Sequence, residues 1–575
     1  MELPGNINNI QWSVEKIKND FKLPIEFSKE KNSIEKHIHS DLELDGENSL
    51  YNKILNPKSI VSKNISENWK KYYTSDVNFL KDTQKLYNKI NYKKNDNIDE
   101  IVNTIQSLQS ENDFLEKYNY VEWSNLKFLN NYALFLGFLS FYHICSPIIS
   151  LLMPIYFCII PYFILKLQGI EVTWKLYWKT LLFLFKTNVI GKLLTNFSSA
   201  SVQSKIYMIF SAGFYLFQIY NNIMTCFRFN TNMKKIHSIM STMKNHIEHT
   251  VKEMDKFEEN CINLNSYKEF VSIMTIKKTK LQEFYDKIKS FDKYLWNIKE
   301  CVNLGSLMRE FYYLYNDKDI NDAIIYSFGF HGYLENISEI HNQIANKTMN
   351  LIKYNNKKKT KFVKAYYPSI ENDTIVKNNY DLNKNIIITG PNASGKTTLL
   401  KTTIINIILS QQFGCGFFKK GYLEPYNNIH CYLNIPDTSG RDSLFQAEAR
   451  RCKNILEIIE KNKDKHNFCV FDELYSGTNP YEAVATGVSY IEHLSLHKNV
   501  HLMLTTHFID LCKHLDKHKK IKNYQMNVQV KEHFHFNYLY QLIEGISNIK
   551  GGVKVLRDLN YPTSIIEKSI KILQM

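Results

Sequence analysis

At 575 residues the chain is long enough for about three or four domains. Its formal charge of +15 and pI near 9.0 suit a nucleic-acid or anionic-membrane partner, although the lysines are scattered among many asparagines and isoleucines. The ten cysteines include no C-x-x-C pair and several lie in apolar runs, which argues against a zinc site or a disulfide framework and for reduced thiols in a cytosol-facing protein. Met1 to Asp20 is polar, so no cleavable signal peptide is visible.

Residues 1–125 are polar and mixed, with helical patterns such as Val77 to Ile90, and read as a small helical domain without metal-ligand or catalytic spacing. The composition then changes. Tyr132 to Leu165 is 34 residues without Asp, Glu, Lys or Arg, and Ile206 to Phe227 is a further 22. A bilayer core takes about 20 apolar residues per helix, so 126–230 reads as a membrane region with spans near 132–165 and 206–227. Pro147, Pro154 and Pro161 would kink or divide the first span. Trp174 to Lys179 between the runs resembles an interfacial belt of aromatics and lysines. The competing reading is a soluble core, favoured by the Tyr, Asn and Gln of the second run. Two spans would leave both ends of the chain on the cytosolic side.

From 231 to 364 the pattern is helical. Ile236, Ile239, Met243, Ile247, Val251, Met254 and Phe257 recur at three- and four-residue steps, while Lys244, Glu248, Lys252 and Asp255 occupy the other face. This predicts a helical core, or a lever. Lys357 to Lys361 is a short basic run that reads as a solvated linker.

The chemistry concentrates in residues 365–575. Ile386-Ile-Ile-Thr389 predicts a buried strand and Thr398 to Leu409 a helix with an apolar face. Between them Gly390, Gly395, Lys396 and Thr397 fit G-x-x-x-x-G-K-[ST]. That spacing lets backbone N–H groups wrap a triphosphate at a helix N-terminus, with Lys396 on the β- and γ-phosphates and the Thr397 hydroxyl on Mg²⁺. Gly390, Pro391, Asn392, Ala393, Ser394, Gly395, Lys396, Thr397 and Thr398 are therefore the candidate ATP-binding residues. Asn467 to Glu473 predicts a strand ending in two carboxylates: Asp472 to hold Mg²⁺ through water and Glu473 to orient the attacking water. A third strand, Val500 to His507, would bring His507 to the γ-phosphate, because ligands bind at the carboxyl ends of parallel strands.

Thr389 to Thr397, Asp472-Glu-Leu-Tyr-Ser-Gly-Thr478 and Thr505-Thr-His507 resemble the ATPase domain of the MutS family, within the wider ABC-type ATPases. The family's loop reads T-G-P-N-M-x-G-K-S and its second motif D-E-x-x-x-G-T, so Ala393 and Thr397 depart mildly. Tyr367-Pro368 and Val376-Lys-Asn378 resemble the H-P and V-x-N-D that open the domain. Gly545 and Gly551 to Pro562 resemble its closing segment. The resemblance covers roughly 365–570 and implies an α/β P-loop ABC-type ATPase domain at the C-terminus; the composition and periodicity read above place all-α helical domains and transmembrane helices before it. It implies ATP hydrolysis with Mg²⁺ by a homodimer with composite sites.

Asp437 to Glu448 resembles the family's S-T-F-x-x-E signature, which implies that Ser443 acts in trans on the γ-phosphate held by a second copy. One residue is inserted between Gly440 and Ser443, with Arg441 beside it. The mismatch-reading G-x-F-Y-E wedge is absent: Phe114-Leu-Glu116 and Phe257-Glu-Glu259 lack the glycine. The chain thus resembles a divergent, membrane-associated MutS-like branch. Three functions stay open: a mismatch-repair or recombination ATPase with DNA as partner, an ATP-driven membrane switch or tether, and a nucleotide-gated scaffold. The expected location is a membrane, with the ATPase domain on the cytosolic side.

Overall fold

The computed structural model describes residues 14–46, 49–169, 171–187, 201–291, 298–354, 360–369, 375–433, 443–531, 535–549 and 551–574. The chain divides into two compact units, each discontinuous in sequence. Among the described residues, one comprises those within 100–251 and 278–324, the other those within 14–99, 252–277 and 325–574. The composition-based division at 125, 230 and 364 is linear along the chain, whereas these units are assembled from separated segments.

The first unit is helical. Helix α1 (Ala133–Leu167) runs unbroken through all three prolines expected to divide it. It is followed by α2 (Trp174–Thr187), the start of the 60-residue α3 (Val202–Cys261), and α4 (Ile298–Asn316). Helices α1 and α4 cross at two glycines: a Cβ on Gly305 would lie 2.0 Å from the Ala133 carbonyl oxygen and 2.6 Å from the Gly137 nitrogen. Only glycine permits that backbone approach. Elsewhere α1, α2 and α3 leave large apolar side chains in the open, among them Leu134, Phe138, Trp174, Phe183, Phe210 and Phe214.

Of the two runs expected to span a membrane, one segment among the described residues, Ala133–Leu152, is long and apolar enough to cross by length and composition. Residues 206–227 do not meet that condition, and two of their polar groups bond to α1. Tyr215 donates a hydrogen bond to the Ser150 carbonyl (3.1 Å) and the Asn222 amide donates to the Ser150 hydroxyl, so these side chains serve the α1–α3 contact.

The second unit is built on a six-stranded sheet. Its strands are β1 (Asn385–Thr389), β2 (Asn428–Tyr432), β3 (Asn467–Asp472), β4 (Val500–Thr505), β5 (Ile521–Lys531) and β6 (His535–Glu544), in spatial order β6-β5-β1-β4-β3-β2. All neighbours are parallel except the β5–β6 pair. Strand β1 is buried along its whole length. This is why its isoleucines run consecutively and do not alternate: both faces of a parallel sheet are covered. The connecting helices are α5 (Lys396–Ser410) after β1, α6 (Leu444–Lys461) before β3, α7 (Pro480–Leu496) before β4, and the short α8 (Gly552–Asp558).

Residues 13–99 belong to this same unit, and two buried glutamines past the end of α5 hold them there. The Gln411 side chain donates to the carbonyls of Thr74 (3.0 Å) and Tyr426 (2.8 Å). Gln412 donates to those of Trp69 (2.6 Å) and Tyr72 (2.7 Å), while its amide oxygen accepts from the Tyr51 hydroxyl (2.6 Å). Buried polar groups left without partners cost about 1–3 kcal/mol each, so Gln412→Leu, which strands three, is expected to destabilise the unit by at least about 3 kcal/mol in denaturant titration. A loss below about 0.5 kcal/mol, the range of neutral surface changes, would contradict this anchoring role.

Candidate nucleotide site

The strand order places β1 between β5 and β4, with β3 beyond β4, so the carboxyl ends of β1, β4 and β3 lie side by side. The pairing register sets Thr505 against both Ile388 and Asp472. The residues following these three strands, far apart in sequence, therefore meet at one edge of the sheet.

After β1 the chain makes a tight turn through 390–395 and enters α5. Ala393 (φ 61°) and Gly395 (φ 92°) are in the left-handed region, and Gly395 caps the helix without a side-chain bond to its first turn. The first amides of a helix have no intrahelical acceptor, so this end offers N–H groups toward the turn. The Lys396 side chain folds back over the turn, its Nζ 3.1 Å from the Gly390 carbonyl oxygen and 3.3 Å from that of Pro391. Burial lowers its pKa, opposed by the charges of Glu473 and Asp472.

The imidazole Nε2 of His507 lies 3.1 Å from Lys396 Nζ and 3.0 Å from Glu473 Oε1. One ring nitrogen thus faces both an ammonium and a carboxylate. Glu473 is held below the usual carboxylate range, first by its hydrogen bond with His507 and further by the His507 and Lys396 charges, against the opposing effect of burial. The Thr397 hydroxyl donates to Asp472 Oδ2 (2.7 Å), and the Thr505 hydroxyl donates to Asp472 Oδ1.

These residues suit a magnesium nucleotide. A cavity of about 600 Å³ lies along residues 392–399, with Glu473 at its wall. The Ser394 hydroxyl, buried in the turn, has no hydrogen-bond partner. Thr397 and Asp472 already touch, as two groups that hold one Mg²⁺ directly and through water must nearly do. Among the described residues no cluster of three or more His, Cys, Asp or Glu side chains could hold a metal outright.

The expected residues are thus brought together in part. Asn392 to Thr398 and Glu473 line the larger cavity. Gly390, Pro391, Asn392 and His507 line a second one of about 210 Å³ on the other side of the turn. Ser443 lines neither; it is the exposed N-cap of α6, accepting from the Gln446 amide (3.3 Å) while the Gln446 side chain accepts from its own N–H (3.0 Å). Arg441 and the rest of 437–442 lie outside the described residues.

Sequence reasoning missed the far wall of the larger cavity. Tyr540 and Met526 come from the β5–β6 hairpin, which carries no motif. Tyr367, Val376 and Asn378 had a motif but no role. The structure supplies one for Asn378, whose side chain donates to the Tyr540 carbonyl (3.0 Å) and accepts from the Leu542 amide (2.8 Å), clamping the edge strand that carries Tyr540.

Comparison with known proteins agrees with this region alone. Residues 386–575 match the family model described as MutS domain V. Over 210 residues, 36% of the chain, the sequence is 29% identical to a protein named Endonuclease MutS2 from Staphylococcus aureus, of which the match covers 28%. For the proteins of that name from strains MRSA252 and bovine RF122 / ET3-1 the identity is again 29%, over 26% of their length. The chain therefore spans little more than a quarter of these curated relatives. Both comparisons support a MutS-family relationship for the C-terminal part, and neither supports a membrane-associated branch.

A Cβ on Gly395 would lie 3.1 Å from the Tyr540 ring, on a backbone already at positive φ. Gly395→Val is expected to cost about 1–3 kcal/mol of stability in denaturant titration. Gly552→Ala, a position with open space around it, is expected to stay within about 0.5 kcal/mol. Equal effects would contradict the strain assigned to this turn.

Proposed function

We propose that this chain is a MutS-type ATPase that works as a homodimer with composite sites. The observation that carries the reading is the convergence of Lys396, His507 and Glu473, beside the Thr397–Asp472 pair, at the carboxyl ends of adjacent parallel strands. Residues Gly390 to Thr398 would hold the phosphates of ATP, with Lys396 leaving the loop carbonyls for the β- and γ-phosphate oxygens. Thr397, and Asp472 through water, would hold Mg²⁺. Bound Mg²⁺–ATP supplies the electrophilic phosphorus and the charge that Mg²⁺ offsets. Glu473 would orient a water and take its proton as the water oxygen bonds to the γ-phosphorus and the bond to the ADP oxygen breaks, and His507 would steady that carboxylate and sense the terminal phosphate. Ser443 of a second copy would close over the phosphates.

DNA is the proposed macromolecular partner, in repair or recombination, in keeping with relatives named as endonucleases and with the net positive charge. Such binding would weaken steeply with salt as counterions are released. A second reading is an ATP-driven membrane switch or tether. It is favoured by the exposed apolar faces of α1, α2 and α3, which would place the first unit in a membrane and the ATPase on its cytosolic side. Turnover stimulated by duplex, mismatched or branched DNA favours the first reading; turnover indifferent to DNA but raised by lipid vesicles favours the second.

Glu473→Gln is expected to keep ATP binding while turnover falls about 100-fold, the usual scale for a general base; unchanged turnover would contradict the assignment. The pH profile gives a sharper check. Because His507 is the first cause of the lowered Glu473 pKa, Glu473 stays ionised further into acid in the intact protein. In His507→Ala the acid limb of the kcat profile is expected to move to higher pH. A limb that stays in place would show that Glu473 is not the base held by His507.

A further inference from the structure

Glu448, in the second turn of α6, is 2% exposed. A buried carboxylate is costly unless hydrogen bonds replace its water, and here the replacements come from the loop after Glu473. The Ser476 amide (3.2 Å) and hydroxyl (3.1 Å) donate to Glu448 Oε1, and the Gly477 amide (3.2 Å) donates to Oε2. The same loop is seated on the start of α6: a Cβ on Gly477 would lie 2.8 Å from Leu444 Cγ and 2.8 Å from the Phe445 nitrogen. The Phe445 and Tyr475 rings pack at 5.7 Å.

The loop needs such a hold. Glu473 (φ 53°) and Tyr475 (φ 59°) both adopt left-handed backbone conformations, which side-chain-bearing residues keep only where the surroundings over-determine them. The head of α6, with Ser443 at its cap, and the turn that aims Glu473 are therefore one mechanical piece. Glu448 is the polar link between them.

We infer that Glu448 is a positioning residue, joining the Ser443 end of α6 to the Glu473 turn so that the group offered to a second copy's site and the carboxylate of the chain's own site move together. This rests on the ATPase reading above. In a dimer, engagement of Ser443 at one composite site would then bias the Glu473 geometry of the other, a coupling between two distinct sites through one rigid element.

The test uses the full chain, with Glu448→Gln and Ser476→Ala compared to the unaltered protein. Binding of a fluorescent ATP analogue is expected to stay within about twofold, while kcat falls about tenfold in Glu448→Gln and less in Ser476→Ala, as for a misaimed base with an intact phosphate site. Hydrogen exchange at the amides of Ser476 and Gly477 is expected to quicken about tenfold in Glu448→Gln, because the glutamine keeps one accepting oxygen where the two amides use both carboxylate oxygens, and its NH2 cannot accept. If the unaltered protein hydrolyses ATP and Glu448→Gln matches it in kcat, the link is overturned while the ATPase reading stands. If the unaltered protein does not hydrolyse ATP, the ATPase reading falls, and unchanged exchange at residues 476 and 477 overturns the link independently. Should Glu448→Gln not fold, Ser476→Ala, at an exposed position, decides the matter: full kcat with unchanged exchange overturns the link.

Discussion

The structure of the second unit turns on one buried cation. Lys396 sits at the head of a helix that is buried almost throughout, in a site where burial works against its charge. What keeps an ammonium there is its surroundings: two loop carbonyls, an imidazole, and two carboxylates close enough to favour the charged form. Those groups arrive at the ends of three different strands: the carbonyls after β1, the carboxylates at the end of β3 and the imidazole after β4. The sheet order, the tight turn at 390–395 and the left-handed backbone of Glu473 all serve to gather them. A polyanion entering the cavity would complete this set of charges, since Lys396 is the group best placed to meet it.

Much of that centre was legible in the sequence. Strands β1, β3 and β4 announce themselves as short apolar runs ending in Thr389, Asp472 and Thr505, and the glycine spacing of the turn points to one kind of ligand. Local patterns sufficed because a parallel strand buried on both faces leaves an unambiguous trace. The opposite wall of the cavity was not legible. Tyr540 and Met526 stand on an antiparallel hairpin whose side chains alternate without any motif, and only the pairing of β5 with β1 brings them to the turn.

Two larger features were hidden for the same reason, that their partners are remote. The polar N-terminal segment gives no sign that Trp69, Tyr72 and Thr74 lend their carbonyls to glutamines some 340 residues downstream. The second apolar run gives no sign that its Tyr215 and Asn222 bond to Ser150 on α1. In both cases a side chain's chemistry was visible but its purpose depended on tertiary placement. The Asp437–Glu448 segment shows the converse: Ser443 was read for its chemistry in trans, while its local geometry is that of a capping box.

The central claim is that Lys396 and its turn form a nucleotide phosphate site. Equilibrium binding of ATP and of AMP, each with Mg²⁺, to the purified chain and to Lys396→Ala tests it most directly. ATP is expected to bind the unaltered protein well ahead of AMP, and Lys396→Ala to lose this preference while remaining folded. Equal affinity for ATP in both proteins, or no discrimination between ATP and AMP, would contradict it.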